Sequence, residues 1–412
     1  MMKRKTILWY GIPAYGHVNS NLYFANLLVK EKIRVVYYST EMFRSVIERN
    51  GCEYRSYPIS QKEMDLSDGQ KILKLYRLVL EYTEKMLPFL LGEAQKERPW
   101  GIILESFALW GWEIGNRLGI LSFSFYSIAA VDRVWGAGFF AYAKGFLPGF
   151  FRYAGEIPVI WKLRRRLWKQ WGMSRLGMRK VLMIQCDWNL MGFSRLFQPG
   201  GEKFGEKYLF LGPMATHRKI MEKNDFVCPK ENLIYVSLGT IFNGDERLLG
   251  ELIRQLGRSG EKGRDSKKDK GDKEYVVVLV WQDREGIWFP ENFIVREFVN
   301  QKEVLQRADL FITAGGMNSI HEALYYRVPC LICPQQGEQL LNGRQFEKLG
   351  FGRILRNPCH LRQEMKRTME LKDKWDEERR KRVVAVHGKE GIKRIKQSLK
   401  IPMSVKSNKQ NF

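Results

Sequence analysis

Two hydrophobic periodicities take turns along the chain. "TILWY", residues 6–10, is a short apolar run rich in β-formers, and "GIPAYGH" behind it is turn-rich. "VNSNLYFANLLVK" then sets Val18, Leu22, Ala25, Leu28 and Val29 at helical spacing. "IRVVYYST" predicts the next strand. "GCEYRSYP" leads into a long amphipathic stretch, "ILKLYRLVLEYTEKMLPFLL", and "WGIILESF" and "LSFSFYS" predict two further strands. Alternation of strands and helices at this length implies a parallel sheet covered by helices on both faces.

The alternation restarts in the second half. "LIYVSLGT" reads as a strand with a tight turn, "ERLLGELIRQLG" as a helix and "YVVVLVW" as a strand buried on both faces. The strand "FIVREF", the helix "KEVLQRA", the strand "LFITAGG", the helix "MNSIHEALYY", the strand "CLICP" and the helix "EQLLNGRQFEKLG" follow. The pattern predicts an α/β protein of two doubly wound, Rossmann-like domains, residues 1–214 and 215–400, joined near "FLGPMATHRK". Residues 258–274 read as a charged flexible loop and residues 401–412 as a disordered tail. Two such domains are expected to face an interdomain cleft at their strand ends, where α/β sheets bind ligands.

Residues 131–171 break the pattern. They are crowded with Trp, Phe, Tyr and Gly and end in the basic run "KLRRRLWKQW". Helical core packing, a greasy lid over a substrate, and a patch that touches an anionic membrane all fit this composition.

Composition narrows the class. The chain's 412 residues are too many for one ordinary core and suit two domains of about 200. No apolar run approaches the roughly 20 residues of a membrane span, and "TILWY" behind the basic start reads as a strand, so a cytoplasmic protein is expected, peripheral contact with the inner membrane face aside. Cys330 and Cys333 form a CxxC inside a buried strand pattern, with no second pair to complete a zinc site, so reduced core thiols are expected. Lys and Arg number 69 against 45 Asp and Glu, a net charge of +24. That excess suits an anionic ligand or surface. No nucleic-acid module accompanies it, so no nucleic-acid partner is expected.

The most informative stretch is "ITAGGMNSIHEALYYRVPCLICPQQGEQ", residues 312–339. Gly315 and Gly316 stand between a buried strand and an amphipathic helix and let a ligand approach the backbone. The first amides of that helix lack intrahelical partners, and Asn318 and Ser319 add side-chain donors, the composition of a phosphate cradle at a helix start. Neither a Walker loop nor a GxGxxG pattern is present. "VSLGT" offers Ser237, Gly239 and Thr240 at a second strand end, and "EFVNQ" an aromatic ring and an amide at a third.

Taken together, "GIPAYGHVNSNL", "LESFALWG", "FLGP", "YVSLGT" and "GGMNSIHEAL…VPCLICPQQGEQ" resemble the GT1 UDP-glycosyltransferases, most nearly the bacterial macrolide-type enzymes. The resemblance implies the GT-B architecture and a set of roles. Phe298 corresponds to the aromatic that stacks on uracil, with Val299 and Gln301 at base and ribose. Gly316, Met317, Asn318 and Ser319 correspond to the diphosphate site, and Glu322 to the carboxylate on the ribose hydroxyls. Glu338 and Gln339 correspond to the acid-amide pair on the donor sugar. His17 matches the family's general base and Glu105 its acidic partner, where Asp is usual. Ala314, Asn300 and Phe298 stand where the family commonly has His, Pro and Trp.

The function so implied is inverting transfer of a hexose from a UDP-sugar to a hydroxyl of a lipophilic small molecule, without a metal or other cofactor. A transferase for lipid-linked or envelope acceptors, and a catalytically weak sugar-nucleotide-binding partner subunit, are the alternatives.

Overall fold

A computed structural model describes residues 5–60, 62–64, 72–130, 155–174, 176–217, 228–229, 232–239, 246–258, 275–282 and 286–399. The expected loop 258–274, apart from Arg258, the tail 401–412, the segment 131–154 and Thr240 lie outside them. The chain divides into two compact units, residues 1–218 with 385–412, and residues 219–384.

In the first unit the strands are β1 (Thr6–Tyr10), β2 (Arg34–Ser39), β3 (Glu53–Ser56), β4 (Gly101–Glu105), β5 (Leu121–Tyr126), β6 (Trp188–Met191) and β7 (Tyr208–Phe210). They form one parallel sheet in the order β3-β2-β1-β4-β5-β6-β7. Strand geometry sends alternate side chains to opposite faces. Leu8 and Tyr10 of β1 therefore join the core on one face, with the long helix Ile72–Glu97. Ile7 and Trp9 join the core on the other, with the helix Tyr15–Lys30. Burial on both faces explains why β1 reads as a continuous apolar run.

The last helix, Gly388–Ser398, packs on the first unit, whereas the pattern of alternation groups residues 385–400 with the second half of the chain. Ile392 and Ile395 enter the core that holds Phe24 and Leu211. At Gly391 a Cβ would come within 2.5 Å of Leu211, so glycine there lets the helix lie close. Lys396 and Glu31 add an ion pair of 2.7 Å. None of this leaves a trace in local periodicity.

The second unit carries β8 (Leu233–Ser237), β9 (Val276–Val280), β10 (Phe293–Arg296), β11 (Leu310–Thr313), β12 (Cys330–Ile332) and β13 (Gly352–Ile354). These too are parallel, in the order β10-β9-β8-β11-β12-β13. Tyr235 and Phe311 stack across β8 and β11 at 4.6 Å between ring centroids. Cys330 and Cys333 are buried free thiols, and burial pushes the Cys330 thiol up.

Candidate functional site

In each sheet the strand order reverses at one point, between β1 and β4 in the first unit and between β8 and β11 in the second. Helices following the two strands at such a point leave on opposite sides, which opens a crevice beyond the strand ends. At the first point His17 follows β1 and Glu105 ends β4, and at the second Ser237 ends β8 while Gly316, Asn318 and Ser319 stand beyond the end of β11.

In the first unit His17 stands in the opening turn of the helix that follows β1, and Glu105 is the last residue of β4. The Nδ1 atom of His17 lies 2.7 Å from Oε2 of Glu105 and 3.1 Å from the Ser127 hydroxyl, just beyond β5. The Glu105 side chain is fully buried, while that of His17 keeps 19% of its surface open. Buried carboxylates need donors on both oxygens. The Asn21 amide donates to Oε1 of Glu105, and the Tyr37 hydroxyl lies 2.9 Å from Asn21 Oδ1 and 3.4 Å from the same Oε1. Burial, then the Glu105 charge, hold the Tyr37 phenol well above its ordinary range, so it stays protonated and able to donate.

The residues after Glu105 turn sharply. Phe107 adopts φ +78, a left-handed conformation that costs a bulky residue about 1–2 kcal/mol. The turn sets its ring 6.3 Å from the His17 ring, closing one side of the imidazole.

In the second unit Gly315, two residues beyond β11, has φ +89, and Gly316 caps the helix Met317–Tyr325. A Cβ on Gly315 would come within 2.7 Å of Ile332 and 3.2 Å of the Gln339 carbonyl, so only glycine fits this turn. Asn342 donates from one amide nitrogen to the Gly315 carbonyl (3.1 Å) and to Glu338 Oε1 (2.8 Å). That amide ties the glycine turn to the acid of the acid-amide pair. Gln339 accepts from the Gln335 backbone at 2.8 Å.

One helical turn on, Glu322 is buried and accepts from Gln301 Nε2 at 2.6 Å; Tyr235 in turn lies 3.4 Å from Gln301 Oε1. Gln301 and Glu322, matched to the ribose by resemblance, thus meet although 21 residues apart. Phe298 presents an exposed ring, and Val299, next in sequence, is buried. Asn318 and Ser319 are half-buried, Met317 is buried, Ser237 ends β8 and Gly239 lies two residues beyond it. No group of His, Cys, Asp and Glu that could hold a metal occurs among the described residues.

Sequence reasoning missed Asn21, Tyr37, Ser127 and Asn342. Asn21 and Asn342 had a usable signal, since each stands four residues after a marked residue on a helix, His17 and Glu338. Tyr37 reads as one more apolar strand position, and Ser127 as a turn residue.

His321 lies in the same helix as Glu322, fully enclosed, with Nδ1–H donating to the Met317 carbonyl at 2.8 Å. Burial pulls its pKa from 6.5 down to about 4. Between those values the unfolded chain takes up a proton that the folded chain refuses. Stability is therefore fully present above pH 6.5 and falls by up to about 3 kcal/mol as the pH drops to 4. Urea unfolding at pH 7 and pH 4.5 should show a steeper loss in the wild type than in His321→Gln; equal slopes would remove His321 as the cause.

The matching family model is the glycosyltransferase family 28 C-terminal domain, over residues 267–399. An uncharacterized UDP-glucosyltransferase of Bacillus subtilis is 28% identical, covering 85% of each chain. The demethyllactenocin mycarosyltransferase of Streptomyces fradiae is 25% identical over 84% of this chain and 74% of that one. Among solved structures, the glycotransferase of kitacinnamycin superposes with a TM-score of 0.76 at 20% identity, covering 96% of this chain and 100% of that one. Two doubly wound parallel units of this topology are the GT-B fold of glycosyltransferases. Over some 85% of its length the chain is thus similar to bacterial glycosyltransferases.

Proposed function

We propose that the protein is an inverting transferase that moves a hexose from a UDP-sugar to a hydroxyl of a lipophilic small molecule, with His17 as general base. The observation that carries this reading is the contact of His17 Nδ1 with the buried Glu105 carboxylate. A buried carboxylate 2.7 Å from Nδ1 holds the ring proton there, which leaves Nε2 with a lone pair for an acceptor hydroxyl.

In the proposed step the acceptor oxygen attacks the anomeric carbon as the carbon–oxygen bond to the diphosphate breaks. The hydroxyl proton passes to His17 Nε2, and UDP leaves carrying the bonding electron pair. Glu105 then faces an imidazolium across a short contact, which stabilises the charge as it forms. The opening amides of the helix Met317–Tyr325 and the Asn318 and Ser319 side chains would take up charge developing on the leaving diphosphate. Helix amides supply that stabilisation without a metal ion.

A single attack from the face opposite the leaving group inverts the anomeric centre. A mass-spectrometric screen of UDP-sugars against phenolic, macrolide and lipid alcohols should identify a product, and proton NMR of it should show the β-glycoside from an α-linked donor. An α-linked product would overturn the single displacement, and turnover with hexose absent from every acceptor would leave only donor hydrolysis.

A further inference from the structure

One helix of the first unit carries none of the candidate site residues described above. The helix Glu156–Trp171 buries Ile160, Leu163 and Leu167 in the core it shares with the helix Ile72–Glu97. Its flank is ion-paired: Glu156 with Arg77 at 2.7 Å, and Arg166 with both oxygens of Glu84 at 2.6 and 2.8 Å. The opposite face is built differently. Trp161, Arg165 and Trp168 follow one another at helical spacing there, flanked by Lys162 and Lys169, and all five side chains are exposed. No acidic residue of the helix stands on this face, since its one acid is Glu156.

Trp161 and Trp168 keep 61% and 56% of their surface open, and Arg165 lies over the Trp161 ring at 5.6 Å. Two indoles held in water at this exposure forgo the burial that stabilises most tryptophans. Indole rings favour the boundary between acyl chains and headgroups, and lysine and arginine beside them reach anionic phosphates. No helix among the described residues is long and apolar enough to cross a membrane, so contact through this face would be peripheral.

We propose that the outer face of the helix Glu156–Trp171 docks on the surface of an anionic phospholipid bilayer, with Trp161 and Trp168 at the headgroup boundary and Lys162, Arg165 and Lys169 on lipid phosphates. The proposal is independent of the transferase chemistry. It places the first unit against lipid, where a lipophilic acceptor would concentrate.

The test is co-sedimentation of the full chain with vesicles of phosphatidylcholine alone and of phosphatidylcholine with one third phosphatidylglycerol, repeated with brominated acyl chains to quench nearby tryptophan. The wild type should bind only the anionic vesicles, weaken as salt rises, and lose fluorescence to bromine. Combined reversal at Lys162→Glu, Arg165→Glu and Lys169→Glu should lower the partition about a hundredfold. Trp161→Phe with Trp168→Phe keeps the helix shape and should abolish most of the bromine quenching. Wild type left in the supernatant with anionic vesicles, charge-reversed protein that binds as well as wild type, or binding without quenching would each overturn the proposal. The last outcome would mark the face as a general polyanion or acidic-protein surface.

Discussion

Replacing His17 with alanine is expected to lower glycosyl transfer about a thousandfold while leaving the UDP dissociation constant within about twofold of wild type. The asymmetry follows from where the groups stand. His17 belongs to the first unit, and the residues matched to the nucleotide belong to the second. Its ring makes its hydrogen bonds through Nδ1, to Glu105 and Ser127, so on the proposed mechanism the substitution removes the nitrogen that would accept the acceptor's proton. Initial rates with saturating donor, beside titration calorimetry with UDP, separate the two quantities. Transfer that survives at more than a tenth of the wild-type rate would show that another group takes the proton. The variant also leaves the buried Glu105 carboxylate one donor short, which costs folding stability of about 1–3 kcal/mol. A thermal melt of the variant shows whether the lost activity is chemical or a loss of folded protein.

Strands buried on both faces were the most legible part of the fold. β1, β4, β8, β9, β11 and β12 are mostly apolar runs too short for a helix, and β5, "LSFSFY", alternates Ser with aromatic residues. β6, "WNLM", β7, "YLF", and β13, "GRI", are too short and too mixed to stand out, and they pair only because the sheet already exists beside them. The return of Gly388–Ser398 to the first unit depends on contacts some 365 residues apart in sequence, such as Lys396 with Glu31. Local periodicity carries nothing about a partner at that distance.

The site divides along the same line. Its glycine turn, its helix start and its marked polar residues are local features, and resemblance supplied their roles. Which atoms meet is a matter of packing. Asn342 bridges Gly315 to Glu338 because β11 and β12 are neighbours in the sheet, and Gln301 reaches Glu322 although β10 and β11 stand three places apart in it. Glu105 shows the limit most clearly. It is one methylene longer than the Asp usual in the resembling family, and the sequence alone does not say whether a longer acid can seat. The structure places its carboxylate in a pocket of two donors, Asn21 and Tyr37, and still brings Oε2 to 2.7 Å from the imidazole.

That pocket makes Glu105→Gln the sharper test of the same chemistry. Asn21 donates its amide hydrogen to the oxygen at the Oε1 position. A glutamine placed there would keep its carbonyl oxygen toward Asn21, because two amide nitrogens cannot share that contact. Its own NH2 group would then face His17 Nδ1, where the carboxylate oxygen stands in the wild type. A donor at this place forces the proton from Nδ1 to Nε2 and turns the nitrogen that should accept into one that donates. The volume and burial are unchanged, so the fold should hold, yet transfer should fall about a thousandfold to ten-thousandfold through tautomer and lost charge together. Glu105→Asp keeps the charge and the Nδ1 proton and shortens only the reach, so it should retain far more activity than the isosteric amide. Nitrogen NMR of the labelled imidazole reads the tautomer directly: a protonated Nδ1 in the wild type and in Glu105→Asp, a protonated Nε2 in Glu105→Gln. If the amide variant shows the same tautomer and transfers sugar within threefold of wild type, the carboxylate does not act through the ring, and its burial beneath Asn21 and Tyr37 serves the fold alone.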